Sequence, residues 1–312
     1  MNILRIAMNG EEYPHYTMSE AFKNSFSSVK TIWWQQESNL NQAIINEVTQ
    51  NKYDAVFLQI QSGNVISEEA AKAINDHSVG FNWTGDVRTN IDWYIHLGKY
   101  FVTCFTNETD VERMKSLGFR AEYLQIGYDH KYYFTAYSEC YNNIVFCANY
   151  YENEQNPYPL TGYRKDLVYA LKRNFGERFN LYGGNWNQCG IYPELALVNN
   201  EQEAHIYRTC AIAINCSHFN YSRYSSDRLF RELACGAFVL SHDFKDYDKD
   251  FVNGKHFVTW SSIEDLVEKC HYYLERPIER RIIGEEGYAI VKSTATWDKR
   301  MIEFKQIINK YK

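Results

Sequence analysis

The sequence predicts an α/β protein made of two Rossmann-like, doubly wound domains. Three observations lead there. Short apolar runs of strand length alternate with amphipathic segments of helical period along the chain. The connections between them have the lengths usual for parallel sheets. The alternation breaks once, at the polar and aromatic stretch Lys131 to Asn143, and then begins again. A chain of 312 residues, 45% of them hydrophobic, is long enough to bury two separate cores. The expected division is 1–135 for a first domain, 136–293 for a second, and 294–312 for a closing helix that crosses back to the first. Two such domains are expected to face a cleft.

Ile3 to Met8 is the first expected strand, followed by Asn9, Gly10 and a polar loop from Glu11 to Tyr16. A glycine directly after a first strand lets a ligand approach the backbone. The G-x-G-x-x-G spacing of a dinucleotide fingerprint is missing, so this is only half of that motif. Thr17 to Phe26 reads as helix, Val29 to Trp34 as strand and Leu40 to Thr49 as helix. Asp54 to Ile60 is almost wholly apolar, as expected of a parallel strand covered on both faces. Ser67 is placed to cap a helix reaching about Asn75. Val79 to Trp83 is a fourth strand, ending in Thr84-Gly85-Asp86-Val87-Arg88. Asp86 is a general base, an acceptor-orienting residue or a solvated turn residue, and Arg88 suits an anion. Thr89 to Leu97, Tyr100 to Phe105, Glu108 to Leu117 and Ala121 to Ile126 complete the first domain as helix, strand, helix and strand.

The second unit opens with the strand Asn143 to Ala148 and a long loop, Tyr150 to Gly162. Loops of that length in compact domains are commonly functional. Tyr163 to Phe175 is helical and starts with Arg164 and Lys165. The strand Phe179 to Tyr182 runs into Gly183-Gly184-Asn185-Trp186, where Trp186 either stacks on a base or sugar or caps the core edge. Glu203 to Thr209 is helical. Ile212 to Ser241 then reads as a strand from Ile212 to Asn215, a polar loop, a helix and a strand from Ala237 to Leu240. Ser225, Ser226 and Asp227 are N-cap residue types before a helical face of Leu229, Phe230, Leu233 and Ala234. Gly236 suits the helix end. A helix N-terminus presents unpaired N–H groups and partial positive charge, which favours a phosphate. Arg228 and Arg231 add full charges, and Glu232 offers a carboxylate to a ribose; an i,i+4 pair of Arg228 with Glu232 is the plainer alternative. His256 to Val258, Ser262 to Leu274, Pro277 to Val291 and Thr294 to Tyr311 follow as one strand and three helices.

Composition narrows the function. A net charge of −6 argues against an overall basic coat for nucleic acid. The eight cysteines show no metal-ligand spacing and read as free thiols of a reducing cytosol. Asp246-Tyr-Asp-Lys-Asp250 has the D-x-D form that holds a divalent ion against a diphosphate, but charged loops far outnumber such sites, so no metal is expected. The N-terminus lacks the pattern of a signal peptide, and no run approaches a membrane span. A cytoplasmic location is expected, the host cytoplasm for a viral protein.

The segment Arg228-Leu-Phe-Arg-Glu232-Leu-Ala-Cys-Gly236 resembles the R-x-x-E-x-x-A-x-G segment of GT-B glycosyltransferases, closest to the CgeB-like, group 1 branch. Asn253-Gly-Lys-His-Phe and Ser262-Ile-Glu-Asp-Leu keep that family's order. Leu181 to Trp186 resembles its opening strands, and Tyr123-Leu-Gln-Ile-Gly-Tyr-Asp129 its inter-domain crossing, with Gln125 where Pro is usual. The resemblance covers about half the chain, roughly residues 120 to 290. Two departures stand out. Many retaining members carry two glutamates with seven residues between them, and counting back from Glu232 gives Tyr224. The Arg/Lys pair usual after the second domain's first strand is unclear, with Arg164 and Lys165 as substitutes.

What the resemblance implies is sugar transfer from a nucleoside-diphosphate sugar, with UDP as the expected carrier and no further cofactor. Gly183, Trp186, His218, Ser225, Ser226, Asp227, Arg228, Glu232 and Arg164 are the expected donor-binding residues. Gly10, Tyr13, Tyr16, Trp83 and Arg88 are expected on the acceptor side. Asp86 or His15 is the expected base, and Arg228 the group that neutralises the leaving diphosphate. The acceptor is a glycan, a protein or, given a Tyr- and Asn-rich composition of phage type, a hydroxymethylated DNA base. A sugar-nucleotide epimerase or hydrolase of the same fold, and a non-catalytic nucleotide-sugar-binding protein, are the competing readings.

Overall fold

The computed structural model describes residues 1–8, 16–136, 141–152 and 158–312. It divides into two compact units, Met1–Gly127 with Trp297–Lys312, and Tyr128–Thr296.

Unit 1 holds a six-stranded sheet of β1 (Asn2–Ala7), β2 (Ser28–Trp33), β3 (Ala55–Leu58), β4 (Gly80–Thr84), β5 (Val102–Phe105) and β6 (Ala121–Tyr123) in the order β2-β1-β3-β4-β5-β6. Every pairing is parallel. The helices are α1 (Tyr16–Ser25), α2 (Leu40–Gln50), α3 (Glu68–His77), α4 (Asp92–Gly98) and α5 (Glu108–Ser116). Local chemistry sets their starts. Ser67 accepts from Ala70 N at 3.1 Å to cap α3, and Asn107 accepts from Asp110 N at 2.7 Å to cap α5. The helix expected from Thr89 begins at Asp92, because Asn90 turns back to accept from Asp92 N at 2.8 Å. The C-terminal helix, Trp297–Lys310, packs within unit 1. Its Phe304 is buried among the rings of Phe22, Phe26, Phe57 and Phe81, at centroid distances of 4.9 to 6.3 Å. The sheet reverses direction between β1 and β3, where an open α/β sheet forms its crevice.

Unit 2 holds a five-stranded parallel sheet of β7 (Ile144–Cys147), β8 (Phe179–Tyr182), β9 (Ile212–Asn215), β10 (Val239–His242) and β11 (Val258–Trp260) in the order β11-β10-β9-β7-β8. Its helices are α6 (Thr161–Phe175), α7 (Asn200–Thr209), α8 (Asp227–Ala234), α9 (Ile263–Leu274) and α10 (Pro277–Thr294). A capping box between Asn199 and Gln202 starts α7 three residues before the expected Glu203. Gly236, at φ +74°, ends α8 as the sequence predicts. The following strand starts at Val239 rather than Ala237, because Ala237 N still bonds to Glu232 O at 3.1 Å.

The units part at Gly127–Tyr128 and at Thr296–Trp297, not at residues 135 and 293. Tyr128 N donates to Ala295 O at 3.0 Å, and the Tyr133 ring lies 5.2 Å from the Arg231 guanidinium. The described residues of the segment read as a linker, 131–136 and 141–143, thus belong to the second unit. Among the described residues, no helix is long and apolar enough to cross a membrane.

Candidate functional site

In unit 2 the sheet order changes direction between β7 and β9, so ligand chemistry is looked for where their C-terminal ends open into loops. Phe146, on β7, is the platform. The guanidinium carbon of Arg164, from the first turn of α6, lies 5.3 Å from its ring centroid, and that of Arg228, from the first turn of α8, lies 5.5 Å from it. Cation–π attraction holds both charges there. Arg164 is 1% exposed, and its Nε and second terminal nitrogen have no partner. Burial and the neighbouring Arg228 lower its pKa to about 9. Arg228 donates to Cys216 O at 3.3 Å. Two cations brought together with unfilled donors make a place for an anion.

His218, on the loop after β9, hydrogen-bonds through Nε2 to the remaining terminal nitrogen of Arg164. Burial, then Arg164 and Arg228, push its pKa down to about 2, so the ring is neutral. Tyr158 and Tyr151 pack beside it, at centroid distances of 4.9 and 5.5 Å.

The start of α8 completes the arrangement. Ser226 is its N-cap, with extended backbone and no side-chain cap bond, and its Oγ is buried without a partner. Ser226 N donates to Ser217 Oγ at 3.2 Å, and Ser225 is buried beside it. Asp227 pairs with Arg231 at 2.6 Å, and Arg231 also pairs with Glu203 at 3.0 Å. The i,i+4 ion pair on this helix is therefore Asp227–Arg231. Glu232 is fully buried, neither carboxylate oxygen has a hydrogen-bond partner, and burial raises its pKa well above the ordinary value despite Arg228. A buried carboxyl left unsatisfied is costly, and Glu232 joins Arg164 and Ser226 as the third residue here with buried polar atoms that lack a partner.

One expectation for the glycine-rich loop needs correction. Trp186 is no stacking platform. It is 0% exposed, and its indole N–H donates to Ala148 O at 2.6 Å. Gly183, at φ +120°, folds the loop onto β7, and a Cβ there would lie 2.3 Å from Ala148 O. That close approach draws Trp186 into the core. Gly184 N instead donates to Asn149 Oδ1 at 2.8 Å.

In unit 1, Trp83 is also a core residue, 1% exposed, with its indole N–H donating to Leu124 O at 2.9 Å and its ring edge-on to Trp297. It presents no surface to an acceptor. Asp86 has a 62% exposed side chain, 3.6 Å from Arg88. Gly10, Tyr13 and His15 lie outside the described residues, as does the side chain of Tyr16.

The acidic loop is occupied by the protein's own groups. Asp246 accepts from Ser222 Oγ at 2.5 Å and lies 3.7 Å from Lys249. Asp250 pairs with Arg223 at 2.6 Å. Among the described residues, no group of three or more His, Cys, Asp or Glu is placed to hold a metal ion. The seven described cysteines are free thiols.

Phe146, Asn215 and Ser217 escape sequence reasoning. Phe146 sits in an apolar run like any core residue. Asn215 donates to Ser241 Oγ at 3.0 Å and keeps a buried Oδ1 without a partner; a polar residue ending an apolar strand is the one available signal.

Residues 164–306 match a family described as glycosyl transferase-like. No curated protein matches the sequence. Solved structures of the GT-B fold match over almost the whole chain. HepE of Anabaena, in complex with UDP and glucose, aligns at a TM-score of 0.66 and 12% identity, over 99% of this chain and 100% of its own. Sucrose-phosphate synthase of Thermosynechococcus elongatus aligns at 0.67 and 9% identity, over 99% and 98%. A glycosyltransferase of Rickettsia africae aligns at 0.61 and 9%, over 99% and 98%. The fold is accordingly GT-B, as the sequence predicts.

Proposed function

We propose that this chain, glycosyl transferase-like over its C-terminal half and GT-B in fold, transfers a sugar from a nucleoside diphosphate to an acceptor hydroxyl. One observation carries the reading. Two guanidinium groups share the Phe146 ring with donors of Arg164 unfilled, close to the uncapped start of α8 and to a buried, partnerless carboxyl at Glu232. A diphosphate fills the first set and ribose hydroxyls the second. UDP is the proposed carrier, supported by HepE, which is solved with UDP and with UDP-glucose.

Negative charge develops on the leaving diphosphate as the bond from the anomeric carbon to its oxygen breaks. Arg164, Arg228 and the N–H groups in the first turn of α8 offset that charge, and fixed donors in a dry site do so without reorganising. The acceptor oxygen forms the new bond to the anomeric carbon. Its proton passes to a base if the reaction inverts, or to the leaving phosphate if it retains. Asp86 of unit 1, beside Arg88, is our candidate base, with the acceptor contacts assigned to that unit.

Tyr224, standing where retaining relatives carry a first glutamate, favours one second reading: a protein that binds the donor without transfer. Thermal shifts with UDP, GDP, ADP, TDP and CMP, followed by product analysis on the donor that binds, separate the two. The proposal expects a rise in melting temperature with one diphosphate, sugar transfer, and loss of both in a folded Arg228→Ala variant. Normal turnover in that variant sinks the assignment. Binding without turnover, acceptors supplied, supports the second reading.

A further inference from the structure

A buried guanidinium is usually held by a carboxylate, whose charge offsets the cost of burial. Arg164 is held differently. Among the described residues, the groups that act on it most are Arg228, Cys216, Tyr151 and Tyr224, none of them a carboxylate. Among the described residues, its one side-chain hydrogen-bond partner is His218.

The protonation of that pair follows from donor inventory. A guanidinium only donates, so Nε2 of His218 must be the bare nitrogen. The ring is neutral, so its single proton sits on Nδ1. Nδ1 faces Thr161 Oγ1 at 3.4 Å, and that hydroxyl spends its own proton on Tyr151 O at 3.0 Å. Thr161 Oγ1 is thus left as the acceptor for Nδ1–H. The backbone adds a second tie, from Leu160 N to His218 O at 3.1 Å, which fixes the loop after β9 to the start of α6. Every link in this chain donates the same way, starting from the Arg164 terminal nitrogen outside its unfilled pair and ending on Tyr151 O.

We propose that His218 is a positioning residue for donor binding: it aims Arg164 with Nε and the second terminal nitrogen toward the donor's phosphates, and as a neutral acceptor it leaves the guanidinium charge uncancelled. The inference rests on the donor-site reading above. A carboxylate at this position orients Arg164 equally well but neutralises it before the phosphate arrives. An apolar residue preserves the charge but releases the orientation.

The test is calorimetric titration of the intact protein with UDP and with inorganic pyrophosphate, which needs no base recognition. Wild type is compared with His218→Gln, which keeps a neutral acceptor, and His218→Asp, which adds a charge. His218→Gln is expected to bind within about threefold of wild type, and His218→Asp to bind about tenfold or more weakly, as expected when a charge-assisted contact is cancelled. Repeating both variants on an Arg164→Met background removes general damage, because there the two should bind alike. Equal affinity of His218→Asp and wild type overturns the inference alone, as does His218→Gln weakened as far as His218→Asp. Wild-type protein that takes up neither ligand overturns the donor-site reading and this inference together.

Discussion

Arg164 and Arg228, carried by two different helices, stand over the same ring: their guanidinium carbons lie 5.3 and 5.5 Å from the centroid of Phe146. Like charges this close repel in the unliganded protein, and burial deepens the cost. The arrangement is therefore strained toward an anion. It stores unfavourable electrostatics that a bound diphosphate relieves, so affinity and stability pull in opposite directions at these residues.

Arg164→Met should make that opposition measurable. Methionine fills much of the same buried volume without charge. The unliganded variant should melt no lower than wild type, and higher by roughly 2–4 °C for each kcal/mol of repulsion removed. The upward shift caused by the diphosphate should vanish. Scanning calorimetry with and without UDP reads both; a variant that melts well below wild type yet still responds to UDP would contradict the account.

Glu232 should leave a pH signature on stability. Its carboxyl ionises near the usual 4.5 in the unfolded chain but only well above that in the folded one, because burial penalises the charge. Between those two values the folded state binds more protons than the unfolded state, so stability falls as pH rises through the window. The slope from one such group is at most about 1.4 kcal/mol per pH unit. Glu232→Gln has no proton to lose. Its melting temperature relative to wild type should therefore climb from pH 4.5 upward, while its affinity for the donor's ribose falls. Parallel melting curves across that range would show that Glu232 ionises freely in the fold.

Trp186 should behave as a core residue. Trp186→Ala should cost about 3–5 kcal/mol, the usual range for emptying a buried aromatic site. Trp186→Phe loses the hydrogen bond to Ala148 O but fills most of the space, and its Kd for UDP should stay within about twofold of wild type. A folded Trp186→Phe with much weaker UDP binding would restore the stacking role that burial denies it.

Phe304 should matter to unit 1 although it lies near the chain's end. Its ring touches Phe22, Phe26, Phe57 and Phe81, which come from two helix-facing and two sheet positions. Phe304→Ala should destabilise by about 3–5 kcal/mol. Hydrogen exchange should speed up in α1 and β3 before it does in unit 2, and uniform loss of protection across both units would refute this.

Much of the fold was legible because its signals are local. Ile212 to Asn215 is a strand at its expected bounds, Ser262 caps a helix that ends at Leu274, and Gly236 closes α8 with the positive φ that its position demanded. The site was legible in part for the same reason. Ser226, Arg228 and Glu232 follow from one helix start, and residues on one turn are neighbours whatever the rest of the chain does. The two tryptophans were the weak point. Trp83 lies near the end of β4, two residues before Gly85, and Trp186 follows β8 and Gly183-Gly184, a context shared by ligand platforms and by core edges. The backbone path decides between these, and for Trp186 it turned on Gly183 closing against Ala148.

The sequence by itself determined two parallel α/β units, the phosphate-suited start of α8 and the residues that could serve it, because apolar period, caps and turns act over a few residues. Only the tertiary structure decided which charges meet. Arg164 and His218 are 54 positions apart, and both are far from Phe146 along a strand that carries no mark of its role. It also decided that Asp227 rather than Glu232 takes the i,i+4 partner, leaving one carboxyl buried and unsatisfied. Pairing of this kind depends on distance and burial in the folded chain, and neither quantity is written in the order of the residues.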